Sequence, residues 1–172
     1  MQINNQTLGN FITIIQTTDI QNFIPLLKEL EFGDKFSLSV LRWCEIKERH
    51  KTLAFWQVYL ATLETETIGV MGLYQMVNSS PNIVWVGWFG LRPKYRQQGL
   101  GTVMMNLLKK YALEFGFKQL WVFTNTNNFA ALSFYEKAGF IKLGSAEEIC
   151  PDKTYKLSDI ILRYELEEAH EH

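Results

Sequence analysis

The ten residues Arg92-Pro93-Lys94-Tyr95-Arg96-Gln97-Gln98-Gly99-Leu100-Gly101 lead straight into a stretch whose apolar side chains recur at helical spacing. A glycine-containing turn that opens into a helix gathers several backbone N–H groups lacking an intrahelical partner, which makes it a cradle for an anion or phosphate. No Lys-Ser/Thr pair follows the second glycine, so this is not a Walker A loop, and the three-glycine dinucleotide spacing is missing. What remains suits a pyrophosphate, whose oxygens can each accept one converging N–H while Gly99 and Gly101 let the backbone come close. A turn that serves only tight helix packing is the competing reading. Arg96 and Lys94 could add charge to the cradle or lie on solvated surface.

The elements around this turn follow from periodicity. From Leu100 the positions Val103, Met104, Leu107, Leu108, Tyr111, Ala112 and Phe115 repeat at three and four, and Gly116 supplies the helix stop. Ahead of the turn, Ile83–Leu91 is nearly continuously apolar, as expected of a central strand covered on both faces. Residues 54–63 and 67–77 read as a hairpin around Glu64-Thr65-Glu66. Residues 11–16 form a further strand. Asp19 caps a helix carrying Ile20, Phe23, Ile24, Leu27 and Leu30, and Ser37 begins another running to about residue 49. After Gly116, Gln119–Thr124 is a strand at crossover spacing. A helix over Asn127–Ala138 with a stop at Gly139, strand residues from Phe140, and a last strand over Asp159–Leu166 complete the order. In that last strand Ile160, Leu162, Tyr164 and Leu166 share one face and Arg163 and Glu165 the other.

Composition suits one domain across the 172 residues, with its core at about residues 11–166, in the α/β class. The chain is 47% apolar, and 17 basic against 18 acidic residues leave a formal charge of -1. Bulk charge therefore favours neither nucleic acid nor an anionic membrane as partner, and anion recognition has to be local. No apolar run reaches the ~18 residues of a membrane span, and no signal-peptide order opens the chain. Cys44 and Cys150 lack metal-site spacing and read as reduced thiols of a cytoplasmic protein; His170 and His172 read as a solvated tail, so no metal site is expected.

Arg96-Gln97-Gln98-Gly99-Leu100-Gly101 resembles the Arg/Gln-x-x-Gly-x-Gly/Ala signature of the GNAT superfamily of N-acetyltransferases, which cradles the pyrophosphate of acetyl-CoA. Asn128-Phe129-Ala130-Ala131-Leu132-Ser133-Phe134-Tyr135-Glu136-Lys137-Ala138-Gly139-Phe140 is similar to the family's second marker, Asn-x-x-Ala-x-x-x-Tyr-x-Lys-x-Gly-Phe. The likeness is sharp over residues 91–140. It implies the acyl-CoA N-acyltransferase fold, a mixed and mostly antiparallel central sheet flanked by helices. It further implies coenzyme contacts from Leu91, Arg96, Gln97, Gln98, Gly99, Leu100, Gly101, Thr102 and Asn128. The pantetheine arm would enter where residues 85–91 and 119–124 diverge and pair with backbone.

The implied reaction is direct attack by the amine of a small molecule or peptide on the acetyl thioester. Tyr135 matches the family tyrosine near the coenzyme sulfur, and with an ordinary pKa of about 10 it carries the proton a departing thiolate needs. Asn128 could contact the coenzyme or only cap its helix, with Thr126 and Asn127 as rival caps. A backbone N–H near a bulge in residues 88–91 would serve the oxyanion. Many family members place a glutamate on the strand before the turn, where this chain has no carboxylate. The amine would then arrive neutral, or pass its proton through water to Glu31, Asp34 or Glu64. Trp85 and Trp88 have opposite strand parity, so one of them would face the acceptor. Trp43, Trp56, Tyr59 and Tyr74 could join it or simply pack in the core. A coenzyme A-binding sensor or structural protein without transfer activity is the alternative function, and exposed strand edges permit a homodimer.

Overall fold

A computed structural model describes residues 2–5, 12–17, 24–30, 53–149 and 159–166. They fall into two compact units, the first drawn from residues 1–79 and 86–108 and the second from 80–85 and 109–172.

In the first unit β1 (Gln2–Asn5), β2 (Ile12–Thr17), β3 (Leu53–Leu63) and β4 (Glu66–Met76) pair antiparallel in succession, and β4 neighbours β5 (Ile83–Leu91). β1 is too short and polar to show a period, and its pairing with β2 is what makes it a strand. The β3–β4 hairpin turns at Glu64-Thr65 as the sequence suggests, with Glu64 in the left-handed region at φ 55. Helix α1 (Ile24–Glu29) covers this sheet. Leu26, Leu27 and Leu30 join Val58, Val70 and Trp88 in one buried cluster, and at about 1.5–3 kcal/mol for each large apolar side chain this burial holds α1 in place. The helix expected from Ser37, and the first turn expected from Asp19, lie outside the described residues.

In the second unit residues 83–85 of β5 pair in parallel with β6 (Gln119–Asn125), β6 pairs antiparallel with β8 (Asp159–Glu165), and β8 with the edge strand β7 (Ile141–Ser145). Among the ladders described here, β5–β6 alone is parallel. Helix α3 (Phe129–Lys137) and the single turn α4 (Ala146–Ile149) complete this unit, while α2 (Leu100–Glu114) contributes residues to both. The whole is the mixed, mostly antiparallel sheet with flanking helices expected from the sequence.

Two side chains of the α2 stripe differ from the periodic reading. Phe115 is exposed, and Phe117 is buried in its place. The helix ends at Glu114 and Gly116 turns the chain at φ 84, with the Phe117 N–H donating to the Ala112 carbonyl. β8 also departs from strict alternation. Ile160, Ile161 and Leu162 are all buried because the strand lies between β6 and β7 and is covered on both faces.

Candidate functional site

The turn after β5 is built by its own residues. Tyr95 N–H donates to the Arg92 carbonyl and Arg96 N–H to that of Pro93, making one 3-10 turn over Pro93–Tyr95. Gln97 at φ 61 and Gly99 at φ 78 then bend the backbone into α2, whose first residue, Leu100, is buried. Arg96 Nε donates to the Leu91 carbonyl at 2.9 Å and Gln98 Nε2 to the Lys94 carbonyl at 2.8 Å, so both side chains brace the turn from within. The Thr102 and Val103 N–H groups share the Gly99 carbonyl. Among the described residues, the N–H groups of Gln97, Gln98, Gly99, Leu100 and Gly101 donate to no backbone carbonyl. Apart from Gly99 and its two chain neighbours, no heavy atom lies within 4 Å of the position a Gly99 Cβ would occupy. Uncommitted donors at a helix start beside open space are the chemistry of an anion site, and they fit a diphosphate.

The basic residues of the turn divide into two groups. Arg96 remains beside the cradle. Lys94, which the sequence offered as a second phosphate partner, instead lies on Glu66, with Nζ 2.8 Å from Oε1 and 2.9 Å from Oε2. Arg92 Nη1 reaches the same carboxylate at 2.8 Å and the Tyr95 hydroxyl donates to it at 2.6 Å. Arg92 also pairs with Glu29, Nε to Oε2 at 3.0 Å. These partners, Lys94 foremost, hold the Glu66 carboxyl down at about 2. Glu66 had no signature in the sequence, because its partners lie 26 to 29 positions away and only the placing of β5 beside β4 brings them together.

In the second unit Asn128 is the N-cap of α3, its Oδ1 accepting the Ala131 N–H at 3.2 Å, whereas Asn127 N–H donates to Asn125 Oδ1. The rivalry of caps is thereby decided for Asn128, and its exposed side chain keeps its amide N–H groups for other partners. Tyr135 is the buried residue of α3. Its ring meets Phe134 and Phe140 edge to face, each centroid 5.5 Å away, and burial pushes its phenol far above the ordinary tyrosine range. It is therefore a proton donor at any physiological pH. Lys109 of α2 bonds the Ala138 carbonyl at the end of α3 and sits 3.6 Å from the centroid of Tyr164.

β5 holds one left-handed residue within the stretch where the oxyanion reading expected a bulge. Trp88 adopts φ 52, rare for a bulky residue inside a strand, and is buried. Its indole enters the α1 cluster and lies 6.1 Å from Tyr74, centroid to centroid. Trp85 is buried against Trp121 and Phe123. Both indoles are thus packed, and the parity argument for one facing an acceptor fails because the left-handed residue interrupts the alternation. The β5–β6 ladder comprises three pairs and ends at Trp85 with Trp121. Of the candidate bases, Glu64 lies exposed in the hairpin turn, while Glu31 and Asp34, like both cysteines, lie outside the described residues. Among the described residues no cluster of His, Cys, Asp and Glu could hold a metal, and no helix is long and apolar enough to cross a membrane.

A sequence model described as the Acetyltransferase (GNAT) family matches residues 20–140, spanning the turn, its helix and the Tyr135 segment. The chain belongs to the GNAT family. Its fold is similar to that of a GNAT-family acetyltransferase from Staphylococcus aureus, with a TM-score of 0.69 at 15% identity over 91% of this chain and 99% of the other. A GNAT-family acetyltransferase from Elizabethkingia anophelis with acetyl-CoA bound aligns at 0.62 and 20% identity over 90% and 98% of the two chains. A Bacillus subtilis acetyltransferase in complex with CoA aligns at 0.67 and 16% over 90% and 98%. No curated protein matches the sequence of this GNAT-family chain.

Proposed function

We propose that this GNAT protein transfers an acetyl group from acetyl-CoA to the amine of a small molecule or peptide, in the cytoplasm, by direct attack within a ternary complex. The observation that carries the reading is the run of uncommitted N–H groups from Gln97 to Gly101 beside open space at the start of α2. Relatives of the same fold hold acetyl-CoA or CoA, which supports the choice of donor. The diphosphate rests on these N–H groups, with Leu91, Arg96 and Thr102 beside it; the contact of Asn128 with the coenzyme is what the family resemblance implies for it. A neutral amine forms the new C–N bond as the C–S bond breaks. The Tyr135 hydroxyl gives its proton to the leaving sulfur and recovers one, through water, from the amine nitrogen. A backbone N–H beside the left-handed Trp88 donates to the carbonyl oxygen as it gains charge. β5 offers no carboxylate, and Glu66 is saturated by its cations, so the amine loses its ammonium proton to solvent before attack.

Calorimetric titration with acetyl-CoA, followed by CoA release against a panel of amines and peptide N-termini, tests this. Absence of coenzyme binding by the folded protein overturns it. Saturable binding without turnover across the panel favours the sensor reading, which the lack of a strand carboxylate motivates. Competition among acetyl-, propionyl- and succinyl-CoA identifies the donor.

A further inference from the structure

Three side chains of one turn converge on one carboxylate. Arg92, Lys94 and Tyr95 flank Pro93, and each ends on Glu66, the first residue of β4. The main chain enters the turn pinned as well, because the Arg92 N–H donates to the Ile68 carbonyl of the same strand at 2.8 Å. Lys94 is held at both ends. Its ammonium lies on Glu66, and its carbonyl accepts from Gln98, the residue directly before Gly99. A continuous set of contacts therefore runs from Glu66 through Lys94 to the bend that presents the amides. The local charges also balance, with Arg92 and Lys94 facing Glu66 and Glu29.

We propose that Glu66 is a positioning residue for coenzyme binding: it gathers Arg92, Lys94 and Tyr95 so that the turn over 96–101 keeps the shape that grips the diphosphate. This rests on the acetyl-CoA reading above and extends it to a residue outside both family markers. It also fixes the role of the turn's cations. Lys94 serves the architecture, and the negative charge of the ligand is met by backbone amides and Arg96. The opposite arrangement, in which Glu66 merely competes with phosphate for Lys94, makes the opposite prediction. Removing a competitor frees an ammonium and tightens binding, whereas removing a positioning carboxylate loosens the turn and weakens it.

The test is titration of acetyl-CoA into the wild type, Glu66→Ala and Glu66→Gln, with steady-state kinetics on the active amine. Glu66→Ala is expected to weaken coenzyme binding by about tenfold or more, the scale of one lost charge-assisted contact. Glu66→Gln keeps an acceptor for the Tyr95 hydroxyl, so it is expected to lie between the two and guards against a variant that fails to fold. Turnover at saturating coenzyme stays within about twofold, since the reacting groups are untouched. Amide hydrogen exchange over residues 92–100 of the coenzyme-free protein is faster in both variants. Coenzyme binding by folded Glu66→Ala that equals or exceeds the wild type overturns the proposal, as does a fall confined to turnover. A wild type that binds no coenzyme removes the acetyl-CoA reading itself, and is told apart because that failure needs no variant.

Discussion

Replacing Gly72 by alanine tests whether the left-handed Trp88 is held by packing. The new Cβ would lie 2.7 Å from Trp88 Cε3, 3.0 Å from the Gly87 carbonyl and 3.1 Å from the Gln57 carbonyl. Carbon atoms settle at ~3.5–4.0 Å, so the indole would have to retreat by about 0.8 Å or more. It has no room to do so against Leu26, Leu27, Leu30, Val58 and Val70. The other two obstructions are backbone of β3 and β5, which no rotamer change clears. Overpacking costs about 1–3 kcal/mol, and two fixed carbonyls put this site near 3. The gain from a less flexible unfolded chain returns about 0.4–1 kcal/mol, leaving a net loss of about 2. For a chain of this length that is a fall in Tm of about 4–8 °C, read by a calorimetric or circular-dichroism melt. The same displacement disturbs the left-handed Trp88, so turnover falls while coenzyme affinity is retained. In a Trp88→Ala background the substitution costs less by about 1 kcal/mol, because one of the three obstructions is gone. A Gly72→Ala protein melting within about 1 °C of the wild type, or full additivity with Trp88→Ala, would refute the account.

Tyr135→Phe is expected to lower turnover by about 10²-fold with little change in the acetyl-CoA dissociation constant; equal turnover when chemistry limits the rate removes the phenol from the acid role. Because burial raises this phenol and folding keeps it protonated, its loss bends no pH–rate profile below about pH 10, and it lowers stability only as pH rises beyond the unfolded value of about 10. Gly99→Ala meets no neighbouring atom but forces a side chain to φ 78, so a Tm loss of about 2–4 °C should accompany a much larger loss of coenzyme affinity, measured by titration. Lys109→Met keeps the aliphatic stem but loses the Ala138 carbonyl bond and the Tyr164 ring contact, costing about 1–2 kcal/mol in a urea melt. Glu66, lowered from 4.5 to about 2, contributes stability above about pH 4.5 that disappears as pH falls toward 2; hydrogen exchange of the turn should therefore accelerate only in that acid window.

What the sequence disclosed was local. The α2 start at Leu100, the stops at Gly116 and Gly139, the hairpin at Glu64-Thr65 and the β5 bounds depend on turn chemistry and spacing within a few residues, and all are legible there. The candidate cradle residues and Tyr135 were named for the same reason, since each sits in one short marker. The missing features are pairings across long stretches of chain. Glu66 meets its cations only once β4 lies beside β5, whereas the inward turn of Phe117 is a local feature of the Gly116 bend that the apolar period does not record. Trp88 has ordinary strand composition around it, and its left-handed backbone becomes intelligible only with Gly72 beneath the ring. Both faces of β8 are covered because of its neighbours, which no alternation within Asp159–Glu165 records.

A protein that handles a thioester exposes its own amines to the reagent it uses. The ion cluster on Glu66 bears on that hazard. The carboxylate raises the proton affinity of Lys94, keeping it an ammonium without a nucleophilic lone pair. The other cations of the turn, Arg92 and Arg96, carry guanidinium groups, which do not compete as acyl acceptors. The donor would thus be gripped by groups it cannot modify, and the grip would not decline as the protein ages in contact with its own substrate.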